Sequence, residues 1–321
     1  MLTGIPAFAF TILAVLPLAS NVFGAPAEIP PCTVIHQRQE WRSMSSAQRR
    51  HYINAVKCLQ RLPAVPAFPG AKTRYDDFQA LHINLTDSVH TVGQFLPWHR
   101  RFLSVYETAL REECGYKGGN PYWDFTKDIG DAESFVRSPL FDPSTGFGGT
   151  GVGADSIVVD GPFAYMNLSF GIGPTSRNHF LTRVFDFSMI QYLTPDKFGF
   201  VMEQLTFEAF RIELEGVPIT ESPKVHDAGH RLIGGDMGDT YSSPGDPLFY
   251  LHHANLDRIW WNWQTAAPSR LFDISGRSTV DPPYQNVTLD FPLEMGVLAP
   301  LLPIRKVMDI LHSDSLCYQY V

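Results

Sequence analysis

The chain has 321 residues, 44% hydrophobic and 13% aromatic, enough for one large core or two small ones. Its formal charge of -8 is spread without a long run of either sign, and no basic patch is visible, which argues against a nucleic-acid reader. Past the first 25 residues no segment is apolar for long enough to cross a bilayer.

In chain order, residues 1–25, MLTGIPAFAFTILAVLPLASNVFGA, have the pattern of a secretory signal, with small residues for cleavage after Gly24 or Ala25. Pro6 and Pro17 interrupt the apolar run and disfavour a membrane anchor. The expectation is therefore a secreted chain, free of the membrane after cleavage, with one mainly helical domain over 26–321. SMSSAQRRHYINAVKCLQRL reads as a helix capped by Ser45 or Ser46, with Ile53, Val56, Leu59 and Leu62 at helical spacing. RYDDFQALHINL reads as a second. FLPWHRRFLSVYETALREEC reads as a third, with Pro97 at its first position and Gly115 near its end. From Tyr116 to about Phe180, Gly, Pro, Ser and Asn signal a long irregular excursion. Helix returns in TPDKFGFVMEQLTFEAFRIELE, then in SPKVHDAGHRLI and DPLFYLHHANLDRIWWNWQ. Ser222-Pro223 and Asp246-Pro247 give the last two a shared start signal. The tail 266–321 carries short alternating pieces such as NVTLDF, consistent with a few short strands.

Secretion implies oxidised cysteines. The four allow three pairings, of which Cys58 with Cys114 and Cys32 with Cys317 is the expected one. Three sequons, at Asn84, Asn167 and Asn286, suit a glycoprotein of the same compartment.

The histidines fall into clusters. His82, His90 and His99 lie within eighteen positions, and His226, His230, His252 and His253 within twenty-eight. His36, His51, His179 and His312 stand apart and are read as ordinary structural or surface residues. His226 and His230, four apart on a predicted helix, share one face, the spacing of two ligands on one metal. His252 and His253 point about 100° apart, so only one can address that metal. Asp257, one turn beyond His253, is placed to hold a ring nitrogen. HDAGH lacks the Glu of a zinc-protease HExxH. All-imidazole sets without a bridging carboxylate suit copper, zinc, iron or nickel, and two of them in a secreted chain favour a copper pair.

YDDFQALH, VHTVGQFLPWHRRFL, NPYWDFTKD, VHDAGHRLIGGDM and DPLFYLHHANLDRIW resemble the copper-binding core of tyrosinases, catechol oxidases and molluscan haemocyanins, most of all short secreted fungal polyphenol oxidases. The resemblance implies a four-helix bundle around a dinuclear type-3 copper site, with long loops and a few short strands. It assigns His82, His90 and His99 to the first copper and His226, His230 and His253 to the second, leaving His252 beside the ligands. It implies O2 as co-substrate and a small phenolic substrate, or a tyrosine-containing intermediate of a biosynthetic pathway. The reaction implied is oxidation of o-diphenols to o-quinones, with ortho-hydroxylation of monophenols as a further option. Tyr318-Gln319-Tyr320 matches a Tyr-x-Tyr motif near the end of the family core, with Arg38 as its expected partner, and no C-terminal shielding domain is expected. Some members join a Cys to the first-site loop by a thioether, but Ser88 stands there, so none is expected. Asp227 replaces an Asn that, with a Glu, orients a water in many tyrosinases; the Glu here is Glu215 or Glu221. Asp227 is thus a candidate base, or a charge that repels anionic substrates, against the reading as a solvated helix residue. A haemocyanin-like oxygen carrier and a dinuclear zinc hydrolase are the alternatives, and the oligomeric state is not legible.

Overall fold

The computed structural model describes Met1, Gly4 and residues 32–311 and 316–321. The expected signal, apart from Met1 and Gly4, and His312 lie outside the described residues.

Several helices start where a side chain satisfies their free amides. In α1 (Ser46–Leu59) the Ser45 hydroxyl accepts the Gln48 N–H while the Gln48 side chain accepts the Ser45 N–H. Thr73 and Asp76 do the same for α2 (Arg74–Val89). α3 (Phe95–Glu112) begins two residues before Pro97, which stands third rather than first. That position is tolerated because its amide would lack an intrahelical partner anyway. α4 (Ala132–Val136) is one short turn in the irregular excursion. The single helix expected from Thr194 onward is two, α5 (Pro195–Met202) and α6 (Phe207–Glu215), because Thr206 caps the second afresh. α7 (Val225–Ile233) is capped at Lys224, so Ser222-Pro223 lies outside it. α8 (Leu248–Thr265) has Pro247 at its cap, and Asp246 accepts the Leu248 N–H.

The strands are short. β1 (His36–Arg38) pairs parallel with the last, β6 (Tyr318–Tyr320). Between them, β2 (Asn167–Phe170) pairs antiparallel with β3 (Ser176–Phe180), and β4 (Pro292–Leu293) with β5 (Leu302–Pro303). NVTLDF is not a strand; only Asn286 in it bridges, to Arg277. Disulfides Cys32–Cys317 and Cys58–Cys114 fasten the β1–β6 end and tie α1 to the chain just past α3. Among the described residues no helix is long and apolar enough to cross a membrane.

α2, α3, α7 and α8 enclose the centre. Along the α3–α8 seam Trp98 stacks on Phe102, Phe102 on Tyr250, and Tyr250 on Tyr106, all buried. Each such ring removed from water contributes roughly 1.5–3 kcal/mol. The seam is therefore a stiff frame for whatever polar groups the helices turn inward.

Candidate metal centre

The first histidine cluster is assembled from two helices and the turn between them. His82 lies on α2, His90 caps the C-terminus of α2, and His99 sits in the second turn of α3. One nitrogen from each lies within 4.8 Å of the others. Three main-chain carbonyls fix the rings: Nδ1 of His82 faces Tyr241 O at 2.8 Å, that of His90 faces Thr86 O at 2.9 Å, and that of His99 faces Phe95 O at 2.9 Å. A carbonyl only accepts, so each Nδ1 carries the proton and each Nε2 is left with a lone pair.

The second cluster is helical throughout. On α7, His226 donates from Nδ1 to Glu215 O at 3.0 Å and His230 to Met237 O at 2.8 Å. From α8 come His252 and His253, and one nitrogen from each of the four falls within 4.8 Å of the rest. The pair divides as helix geometry demands. His252 turns Nε2 to the His226 carbonyl at 3.0 Å and packs so closely on α7 that a Cβ at Gly229 would stand 2.3 Å from its ring. His253 brings Nε2 to 3.0 Å from Nε2 of His230 and stacks on His99 of the first cluster at 4.4 Å. The two trios therefore face each other across one interior.

Does this arrangement fit a metal? The Nε2 atoms of His82, His99 and His226 are buried without a hydrogen-bond partner. Orphaned lone pairs converging in an apolar interior are costly unless a cation answers them. The His230 proton is spent on Met237, so a proton on His253 or a cation must lie in the 3.0 Å contact. Neither trio contains a carboxylate, a donor set suited to copper or zinc. Burial lowers the imidazole pKa values, to about 4 for His90 and His230 and well below 6.5 for the others, where neighbouring imidazoles add repulsion. Neutral imidazole is the form a metal binds.

A cleft of about 310 Å³ opens beside both trios, with His90, His226 and His230 in its wall. Glu215 and Asp227 also line it. Glu215 is buried, accepts from Thr91 N–H and Arg211 Nη1 at 2.5 Å each, and is pushed up to about 7 by that burial. Asp227, raised to about 6 by burial, accepts from Lys224 N–H at 2.6 Å and Val217 N–H at 3.2 Å. It is not a solvated helix residue; it caps α7 from inside the cleft wall. Glu221 is an exposed loop residue and does not line the cleft, which corrects its candidacy beside Glu215.

A second correction concerns Asp257. It does not hold an imidazole. Its carboxylate accepts from Arg100 Nε and from the hydroxyls of Tyr318 and Tyr320, each at 2.5 Å, and from Arg38 Nη1 at 3.2 Å. Arg38 also lies 3.5 Å over the Tyr318 ring. Asp257 thus joins α8 to both chain ends. All four cysteines are in disulfides, so none is free to form a thioether near His90. His179 pairs with Asp236 at 2.7 Å, outside both trios.

Sequence reasoning missed Thr91 and Arg231. Thr91 has φ +61°, which no threonine advertises. Arg231 was legible as the residue after His230; it lines the cleft, and its positive charge acts on Asp227 in the same wall.

The family model for the common central domain of tyrosinase matches residues 72–266. Tyrosinase-like protein phomQ1 of Diaporthe leptostromiformis is 36% identical, over 91% of this chain and 79% of its own. N-acetyl-6-hydroxytryptophan oxidase ivoB of Emericella nidulans is 32% identical over 94% and 97%. A solved structure of a polyphenol oxidase variant from Thermothelomyces thermophila superposes with a TM-score of 0.80 at 34% identity, covering 89% of each chain. Two facing histidine trios on a matching helical frame agree with these similarities, and the chain belongs to the tyrosinase family of type-3 copper oxidases.

Proposed function

We propose that this protein is a secreted copper oxidase that converts o-diphenols, or the related ring of a hydroxyindole, to o-quinones or quinone-like products at the expense of O2. The observation that carries the proposal is the convergence of two all-imidazole trios beside an open cleft. His82, His90 and His99 would hold one copper and His226, His230 and His253 the other, through Nε2 in each case. A bound copper pair supplies the electron-transfer chemistry: each diphenol gives up two electrons and two protons, and O2 takes up four of each to become water. The protein's own part is positional. Carbonyl-anchored Nδ1 atoms fix five rings of the six, so the donors need little reorganisation. The cleft of about 310 Å³ admits a small aromatic ring.

Oxidation is favoured over hydroxylation for a physical reason. A phenol proton, pKa about 10, needs a base near neutral pH before its ring can be hydroxylated, and a diphenol needs it less. Burial raises Glu215 to about 7 and Asp227 to about 6, a range that suits a base. Both already accept from main-chain amides, however, and Glu215 from Arg211 as well, so neither is free to turn onto a phenol. The substrate class fits relatives named for tyrosinase and for hydroxytryptophan oxidation. Secretion is supported by the signal pattern of residues 1–25, and glycosylation by the exposure of Asn84, Asn167 and Asn286. The test is paired turnover of a monophenol and its catechol on copper-loaded protein. Quinone from the catechol alone is expected. Equal initial rates would overturn the preference for oxidation, and no turnover of either, nor of a hydroxyindole, would overturn the proposal.

A further inference from the structure

We infer that Arg277 is a positioning residue for His90, acting through the main chain of Thr91; the inference rests on the reading of His90 as a copper ligand. His90 ends α2, and the chain must reverse at once to begin α3 at Phe95. Thr91 makes that reversal at φ +61°, a left-handed conformation that a β-branched residue resists. Such a conformation persists only where the surroundings over-determine it. Here it is gripped from both sides. The Thr91 N–H donates to Glu215 Oε1 at 2.5 Å, and the Thr91 carbonyl accepts from Arg277 Nε at 2.9 Å.

Arg277 is not a stray surface residue. It belongs to a narrow loop closed by Ser278 N–H to Gln285 O at 2.7 Å and Val287 N–H to Gly276 O at 2.8 Å. That loop is sewn to the His90 turn at two more points, Gly93 N–H to Arg277 O at 2.7 Å and Gln94 Nε2 to Ser278 O at 2.9 Å. The approach is so close that a Cβ at Gly93 would stand 2.4 Å from Val287 Cγ1. A segment beyond the matched central domain, residues 72–266, thus clamps the one proposed ligand that leaves the helices. The His90 ring has one hydrogen-bond anchor, Thr86 O, and packs on the rings of His82 and His99, while the turn places its Cα.

The experiment compares wild type, Arg277→Met, Thr91→Gly and the double variant. Copper affinity is measured by competitive titration, and Thr91 amide exchange on the metal-free protein. Arg277→Met should weaken one of the two copper equivalents about tenfold, the lower end for loss of a ligand's outer support, and speed Thr91 exchange by a similar factor. Glycine at 91 takes the left-handed conformation without strain, so in the Thr91→Gly background the same change should cost less than about threefold in copper affinity. Unchanged copper affinity or unchanged Thr91 exchange in Arg277→Met overturns the inference, as does an equal loss in both backgrounds. If Arg277→Met does not fold, Arg277→Gln, which keeps a polar side chain but shortens it away from the Thr91 carbonyl, decides: faster Thr91 exchange with weaker binding of one copper supports the clamp, and unchanged values of either overturn it. Failure of wild type to bind copper would instead sink the reading of the site, whatever the amides do.

Discussion

The two trios are built from different material. His226, His230 and His253 all sit within helices, two on α7 and one on α8, with His252 wedged between those helices. His82 and His99 sit within α2 and α3, but His90 rides on the turn between them, braced by a loop from far along the chain. A site on regular helices inherits its precision from periodicity and packing; a site with one donor on a turn inherits it from whatever holds the turn. The second trio is accordingly expected to keep its metal under conditions that strip the first.

The largest effect expected is loss of a donor. His253→Ala should remove more than about a hundredfold of catechol turnover, because losing even outer-shell support costs 10–100-fold in metal affinity or activity. His90→Ala should cost turnover comparably but leave one tightly held copper, whereas His253→Ala should leave a weaker one. Metal content after dialysis against a chelator reads the difference. Retention in the reverse order would break the comparison.

Asp257→Asn comes next. It removes the carboxylate that faces Arg38 and Arg100 in the interior, a loss of about 3–5 kcal/mol for a broken buried pair. Burial pushes the Asp257 pKa up, but Arg100, Arg38 and the Tyr318 and Tyr320 hydroxyls pull it below the ordinary value. A carboxyl with a depressed folded pKa stabilises fully above its unfolded value of about 4, and that stabilisation fades as pH falls through the folded one. Chemical denaturation should therefore show wild type well above the variant at neutral pH and the gap closing in strong acid. A constant gap would argue against a charge effect.

Gly229→Ala is the smallest of the three. Alanine inside a helix normally gains about 1 kcal/mol over glycine. Here the methyl would meet the His252 ring, which cannot swing away while Nε2 is bonded to His226 O. Overpacking costs about 1–3 kcal/mol, so a net loss is expected, with looser metal at the second trio and the first unaffected. A rise in melting temperature would show that the α7–α8 contact is softer than described.

Much of this was legible in the residues. The i, i+4 pair His226 and His230 announces a shared helix face, and the 100° rule says that His252 and His253 must part company. Which of them faces the metal is decided by packing against Gly229 and His99, information that periodicity does not carry. Asp257 was misjudged for a related reason. Its helical spacing from His253 is real, but its partners arrive from positions 38, 100, 318 and 320, remote in sequence. Glu221 and Glu215 are equally plausible on paper; only the end of α6 shows which one is turned into the cleft. The helix expected to run on from Thr194 fails at Thr206 because a new cap outweighs continued apolar spacing. The strain at Thr91 has no sequence signal at all, since threonine disfavours the conformation it adopts there.

Electron paramagnetic resonance of the Cu(II)-loaded protein tests most directly whether the six imidazoles form one dinuclear centre. Two bound copper equivalents with a signal far weaker than two isolated spins is the result expected of trios whose rings stack 4.4 Å apart. Two equivalents giving full two-spin intensity, or a single equivalent bound, would contradict it.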